Sequence, residues 1–487
     1  KIKKGCLSVK FKKFLSGILV CATVCSIVPY VNYAVNANAV DETEYEEGIY
    51  EILTYKKYAD YIEISGCTQQ FYFGDFDDFD GSVVIPAEID GLPVTKIGER
   101  ALGNDFLTSV TIPDSVTEIG KYAFSNCSSL ASIKIPDSVT EIGKYAFSNC
   151  LSLASIKIPD SVTSIGDYAF KGSGLKSVII PDGVTKIGEY AFQSCSELTE
   201  ITLPDSITDI GIFAFSDCSS LKSVTIPEGI TKIEKYTFDN CSDLAEINIS
   251  DNVTTIVGNA FSRCPSLTEV NIPDSVTSID IFAFGDCSGL NAINVSDNNK
   301  YYSSENGILF NKDKTELLQC PIGNPSEKYT IPESVESIGI FAFYNCMNLE
   351  KVEIPDNVTN IENYSFINCE NLYKITIENP KCKIYNGRNA ISDKATIYGY
   401  KDSTANKYAE KYDRKFVALD LNGDANGDRK VDVADVIAVA SYVANPEENP
   451  LPEQLIKNAD VHNSGDGLTA NDALMIQQYL AGIVEKL

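Results

Sequence analysis

A repeat solenoid, rich in β-strand with short turns and helices and followed by a small all-α module, is the fold class this sequence predicts. Three observations predict it. IPDSVTEIGKYAFSNC stands at 112–127 and again, letter for letter, at 135–150. A unit of about 23 residues, opened by a leucine, recurs through most of the 487-residue chain. After residue 419 the repeat gives way to two acidic loops, each leading into an apolar-patterned helix.

The N-terminus is taken first. KIKKGCLSVKFKK leads into the apolar FLSGILVCATVCSIVPYV and then Ala37-Asn38-Ala39. A basic region, an apolar stretch and a small-residue site read as a signal peptide over 1–39. A retained membrane anchor is the alternative, and Pro29 argues against it. With the signal removed, the reading is a secreted, extracellular chain with no membrane attachment. Residues 40–106 are read as an N-terminal cap, with FYFGDFDDFDG inside it, plus a first irregular repeat.

Leu107, Leu130, Leu153, Leu175, Leu198, Leu221, Leu244, Leu267 and Leu290 each open a unit within a solenoid spanning 107–399. An interruption of about 30 residues follows, and the pattern resumes as YTIPESVESIGIFAF at 329–343. Leu107, Val110 and Ile112 take strand-like positions, Pro113-Asp114-Ser115 makes a turn, and Val116, Ile119, Ala123 and Phe124 supply a second apolar set. No single unit can bury that set, whereas stacked units share one core. Residues 400–418 are expected to close the end as a C-terminal cap, with Ser403 starting its helix. The recurring L-x-x-[IV]-x-[IL]-P-D-x-[VI]-T-x-I-x-x-x-A-F resembles the BspA-like class of bacterial leucine-rich repeats. That resemblance implies a curved, right-handed leucine-rich-repeat array.

Composition narrows the function. The formal charge of −28 opposes binding to DNA, RNA or anionic lipid surfaces. A single histidine, His462, leaves little basis for Ser-His or Cys-His catalysis, and no Gly-rich phosphate loop is present. Nine cysteines share one repeat position (127, 150, 195, 218, 241, 264, 287, 346 and 369) without CxxC pairs. They are expected to be buried thiols rather than zinc ligands or disulfides. Tyr122, Tyr145, Tyr168, Tyr190, Tyr236 and Tyr364 form a second column, expected to pack rather than to stack on sugars. The aspartates after proline are ordinary turn chemistry. The outward strand positions, small and mixed, are the expected recognition surface for an unidentified protein or glycan.

In the last segment, 419–487, Asp424, Asn426, Asp428, the Lys430 carbonyl, Asp432 and Asp435 stand at positions 1, 3, 5, 7, 9 and 12. Those are the oxygen positions of a twelve-residue calcium loop. Val431 is expected to point into a small core, with Val436, Ile437, Val439, Ala440 and Val443 of the next helix. Leu468 to Asp472 matches Val431 to Asp435, so the second half copies the first with one extra residue inside its loop. That alignment makes Asp460 and Asp472 the end ligands of a second site, with Ser464 and Asp466 the candidates for its middle. Thr469 replaces Asp432.

Two calcium-loop-and-helix repeats closing a secreted chain resemble a dockerin, the module that plugs proteins into cohesins on the scaffoldins of a cellulosome. The thirteen-residue second loop resembles a variant of rumen-type cellulosomes, which serve polysaccharide catabolism. The resemblance implies calcium-dependent folding and cohesin binding, with contacts from Val433 and Ala434 in one half and Ala470 and Asn471 in the other. The expected function is a non-catalytic cellulosome component. An adhesin and a polysaccharide-active enzyme are the other two readings.

Overall fold

In this computed structural model the structure describes residues 45–68, 80–419, 422–428, 430–463, 465 and 467–487. The signal-peptide segment, most of FYFGDFDDFDG, and the expected ligands Ser464 and Asp466 lie outside the described residues. The chain forms two compact units. One comprises the residues through 326 with 338–348 and 364–370, and the other 327–337, 349–363 and 371–487.

In the first unit each repeat is one coil with two short strands. Glu118–Ile119, Glu141–Ile142, Ser164–Ile165, Lys186–Ile187 and Asp209–Ile210 pair in parallel, each isoleucine buried beside the next. The outward-facing strand of the coil pairs likewise, as in Ser82–Val84, Ser109–Thr111 and Ser132–Lys134. Val83, Val110 and Ile133 point in, and their neighbours point out. The sequence reading placed one strand per repeat. The second, two-residue strand arises because β-branched Ile119 and its equivalents need a ladder partner at the coil edge.

The core is a column of rings. Phe124, Phe147, Phe170, Phe192, Phe215, Phe238, Phe261 and Phe284 stack with centroids 5.2–5.8 Å apart, all fully buried. Two residues before each phenylalanine the backbone turns with positive φ, 57° at Tyr122 and 58° at Tyr145. That conformation is strained for an aromatic residue. The stacking described below offsets the strain.

The N-terminal edge is closed. Glu46–Tyr50, Leu53–Lys57 and Ile62–Cys67 form an antiparallel meander, and its last strand joins Leu92–Ile97 in parallel. The interruption after residue 295 is a second meander, Tyr302–Glu305, Ile308–Asn311 and Glu316–Gln319. Its first turn is Asn306-Gly307, both with positive φ, as a two-residue hairpin requires.

In the second unit Lys328–Thr330, Lys351–Ile354, Lys374–Ile377, Thr396–Gly399 and Phe416–Ala418 form a parallel five-stranded sheet. Helix α1, Thr404–Lys411, crosses over before the last strand, and the Ser403 side chain accepts from the Asn406 N–H to cap it. The unit also holds the parallel pair Asn360–Ile361 and Lys383–Ile384, and after the sheet come three helices: α2 (Val433–Ala444), α3 (Glu453–Ala459) and α4 (Ala470–Leu480). Helix α3, which leads into the second acidic loop from Pro452, has no counterpart in the sequence reading. Among the described residues no helix is long and apolar enough to cross a membrane.

Candidate metal-binding and docking module

The first acidic loop is organised around Asp435, whose side chain is fully buried. Its Oδ1 accepts from the N–H groups of Ala425 (2.9 Å) and Asn426 (3.1 Å), and its Oδ2 from that of Asp432 (2.7 Å). Asp432 in turn caps α2, accepting from the Ala434 N–H at 2.6 Å. The two residues thus form a capping box, because each satisfies a backbone donor that the helix leaves open. Asp424, buried as well, accepts from the Gly427 N–H at 2.7 Å.

Carboxylate oxygens of Asp424, Asp428 and Asp435 lie within 4.8 Å of one another. Two of these acids are buried, so their mutual repulsion is poorly screened and a cation between them relieves it. The donor set is all oxygen, which suits a hard cation such as calcium. Asn426 Oδ1 accepts from the Asp428 N–H at 2.8 Å, and Lys430 donates its N–H to Asp428 at 2.9 Å. Of the six expected positions, the structure gathers Asp424, Asp428 and Asp435, while the Asp432 carboxylate is taken up by the helix cap.

The second loop repeats the frame. Asp472 Oδ1 accepts from Val461 (2.8 Å) and His462 (2.7 Å), and Oδ2 from Thr469 (2.8 Å). These donors stand one and two residues after Asp460 and three before Asp472, matching the donors to Asp435 around Asp424. Burial works against ionisation of Asp472, but the N–H groups of His462, Thr469 and Val461 and the Thr469 hydroxyl outweigh it and hold the carboxyl below its ordinary value. The loops diverge only after His462. Asp460 Oδ2 accepts from the N–H groups of Gly465 (2.8 Å) and Gly467 (3.3 Å), both with positive φ. The extra residue therefore lies between His462 and Leu468. Asp460 Oδ1 is buried and, among the described residues, has no hydrogen-bond partner. A buried carboxylate oxygen left open in this way is where a cation fits.

The halves meet through Ala425, Val439, Ala459, Ala473 and Ile476, with Val431 and Val436 packed alongside. The Gly423 N–H donates to the Asn458 carbonyl at 2.7 Å and joins the segments that enter the two loops. The expected core face of α2 needs correction. Val439 is buried, but Ile437 is 60 % exposed, Val443 36 %, and Ala440 faces solvent. Two short helices bury one narrow stripe each, so the second apolar face of α2 stays outside.

That face carries Val433, Ile437 and Ala440 at i, i+4 and i+7, and α4 carries Ala470, Leu474 and Gln477 at the same spacing. Val433, Ala434, Ala470 and Asn471 are all exposed. Ile437 and Leu474 were missed as surface residues. The signal was present: α2 has more apolar positions than a two-helix core can cover.

The solenoid's columns are packing devices. Described cysteines are free thiols. Cys150, Cys195, Cys218, Cys241, Cys264 and Cys287 each donate to the phenylalanine carbonyl of the preceding coil at 3.0–3.3 Å. Burial pushes the Cys127 thiol up to about 12 and that of Cys195 to about 11. Such groups stay protonated and are poor nucleophiles and metal ligands. Tyr122, Tyr145, Tyr168, Tyr190, Phe213 and Tyr236 stack at 4.3–4.8 Å. Their faces cover one another and offer no free platform for a sugar.

Comparison with known proteins places these features in context. The BspA type leucine rich repeat region matches in six copies over residues 95–218, 163–291 and 323–394. The dockerin type I domain matches residues 422–481. Among curated proteins none matches. A leucine-rich repeat protein from Bacteroides ovatus is 27 % identical with a TM-score of 0.54, over 76 % of this chain and 99 % of that one. A leucine rich cell surface protein from Faecalibacterium prausnitzii is 26 % identical with a TM-score of 0.46, over 76 % and 94 %.

Proposed function

The chain belongs to the BspA-type leucine-rich-repeat family and carries a dockerin type I module, and from that premise we propose that it is a secreted, non-catalytic component of a cellulosome. The module docks to a scaffoldin cohesin in a calcium-dependent way, and the solenoid presents a recognition surface. Both matched module types are non-catalytic. The observation that carries this reading is the coexistence, in one small module, of converging loop carboxylates and exposed apolar helix faces.

Calcium would be held in the first loop by Asp424, Asn426, Asp428, the Lys430 carbonyl, Asp432 and Asp435. In the second it would be held by Asp460, Asp472 and the inner residues Ser464 and Asp466. Bound there, calcium supplies charge neutralisation and a fixed loop geometry. The chain's own contribution is separate: Asp435 and Asp472 gather their backbone donors and start α2 and α4 at fixed places. Val433, Ala434 and Ile437 are thereby set on one face, and Ala470, Asn471 and Leu474 on another. The first set is apolar and the second mixed, so the two halves would not serve a partner equally.

Isothermal calorimetry against a panel of cohesins, in calcium and in chelator, tests the proposal. The expected result is nanomolar to micromolar binding to at least one cohesin that disappears in chelator. Undiminished binding in chelator, or no binding to any cohesin, overturns the docking function.

A further inference from the structure

On the sheet of the second unit, three lysines stand directly opposite one another. The strand register places Lys328 beside Lys351 and Lys351 beside Lys374. Neighbouring strands lie about 4.8 Å apart, and like charges so placed destabilise a sheet. The same rung elsewhere holds Ser82, Ser109 and Ser132, then Ser177 with Glu200, Ser223 with Glu246, and Glu269 with Ala292. Lys134 also stands opposite Lys157 one rung over in the first unit, but a run of three lysines occurs on this sheet alone among the described coils, and the repeat itself does not need it.

Two tyrosines accompany it. Tyr373 is 48 % exposed, with the Lys351 Nζ over its ring at 5.3 Å. Tyr398 is half-buried, with the Lys374 Nζ over its ring at 4.7 Å. Unlike the stacked column of the first unit, Tyr373 makes its close ring contact with a cation. On the strand Lys374–Ile377, directly opposite Tyr398, the Thr376 hydroxyl is buried without a hydrogen-bond partner among the described residues. Glu353 on this face accepts from the Thr330 hydroxyl at 3.1 Å, and Glu378, Asp356 and Glu333 lie near it beyond the lysine rung. Glu350, at the strand start, also lies near Lys351. Hydrogen bonding to the Tyr373 hydroxyl holds the Lys351 ammonium above its ordinary value, so it stays charged at neutral pH.

We propose that this face, Lys328, Lys351, Lys374, Tyr373, Tyr398 and Thr376, binds a short acidic oligosaccharide segment of two or three uronate rings. Each carboxylate lies over a lysine, the sugar rings lie along the tyrosines, and a ring hydroxyl reaches Thr376. This rests on the reading of the solenoid as a recognition surface and names its ligand class. Three cations in line match a ligand that repeats its charge at every ring. A ring-bearing ligand uses the aromatic surface that an acidic peptide leaves bare. The whole-chain charge of −28 does not oppose a short anion at physiological ionic strength, where fields decay over about 8 Å.

The test uses the full chain in calcium and titrates three probes by calorimetry: galacturonate trimer, its methyl ester and glutamate trimer. The ester keeps the rings and removes the charge, whereas the glutamate trimer keeps the charge and removes the rings. The expected result is binding of the uronate trimer, weakened roughly tenfold or more in both other probes and by raising salt. Lys351→Gln with Lys374→Gln, and separately Tyr373→Ala, should each weaken the uronate roughly tenfold. Lys134→Gln with Lys157→Gln, on the first unit, should change nothing. Equal binding of all three probes, tighter glutamate binding, no uronate binding, or unaffected variants each overturn the proposal. Cohesin binding measured on the same preparations stays intact in every case, which separates this outcome from a failure of the docking function.

Discussion

The solenoid and the terminal module solve the same problem in opposite ways. The solenoid buries a phenylalanine, a leucine, an isoleucine and usually a thiol in almost every coil, and neighbouring coils supply each other's walls. Among the described residues, the apolar side chains the module buries are Ala425, Val439, Ala459, Ala473 and Ile476. Three of those five side chains are alanine, far too little apolar surface to order about 60 residues. Its buried polar residues among those described are three acids, Asp424, Asp435 and Asp472, and the amide Asn458. One region hides apolar side chains from water throughout, and the other gathers carboxylates beside a small apolar centre.

That contrast can be broken first in the solenoid. Phe192→Ala should remove about 3–5 kcal/mol, read as a lowered thermal midpoint of the β signal, with the helices of the module unchanged. An unchanged midpoint would mean that the buried ring contributes nothing to the stability of the coil. Next, removing calcium should cost the module about 4 kcal/mol at metal concentrations a thousandfold above Kd. Hydrogen exchange should show α2 and α4 losing protection in chelator while Ile119, Ile142 and Ile165 keep theirs. Loss of protection in both regions would erase the distinction.

A smaller effect sharpens it. Ile437→Lys should weaken cohesin binding by about 2 kcal/mol and leave the calcium-dependent unfolding midpoint where it was, because Ile437 is exposed. Leu474→Lys should cost less if α2 is the favoured face. The last effect is absent at neutral pH. An unfolded cysteine releases its proton near its ordinary value of 9.0, whereas Cys195 in the fold holds its own to about 11. The unfolded chain alone gains from ionisation between those values. Solenoid stability should therefore hold below about pH 9 and fall as pH rises towards 11, as a denaturant midpoint measured against pH would record.

Much of this was legible because a repeat states its own register. Leu107 to Leu290 announce the coil, and buried Val110, Ile112, Val116, Ile119, Ala123 and Phe124 follow from one unit's pattern. The equivalence of the two loop ends was legible by the same logic, since Leu468 to Asp472 aligns with Val431 to Asp435 and the backbone donors to Asp435 and Asp472 repeat. What escaped depends on how much a neighbour covers. Val439 and Ile437 look alike along the chain, and only the width of the α2–α4 contact separates buried from exposed. Lys328, Lys351 and Lys374 sit 23 residues apart in plain view, yet their meaning needs the strand register that sets them side by side.

The identical stretches at 112–127 and 135–150 have a consequence for lineage rather than for energy. Where adjacent coils are chemically the same step, a whole coil can be gained or lost by unequal exchange between its copies. The ring column is then renewed at once, with no new interior to invent. Array length becomes a variable that inheritance can adjust in units of one coil, while the attachment module and the face beside it stay at a constant distance from the end.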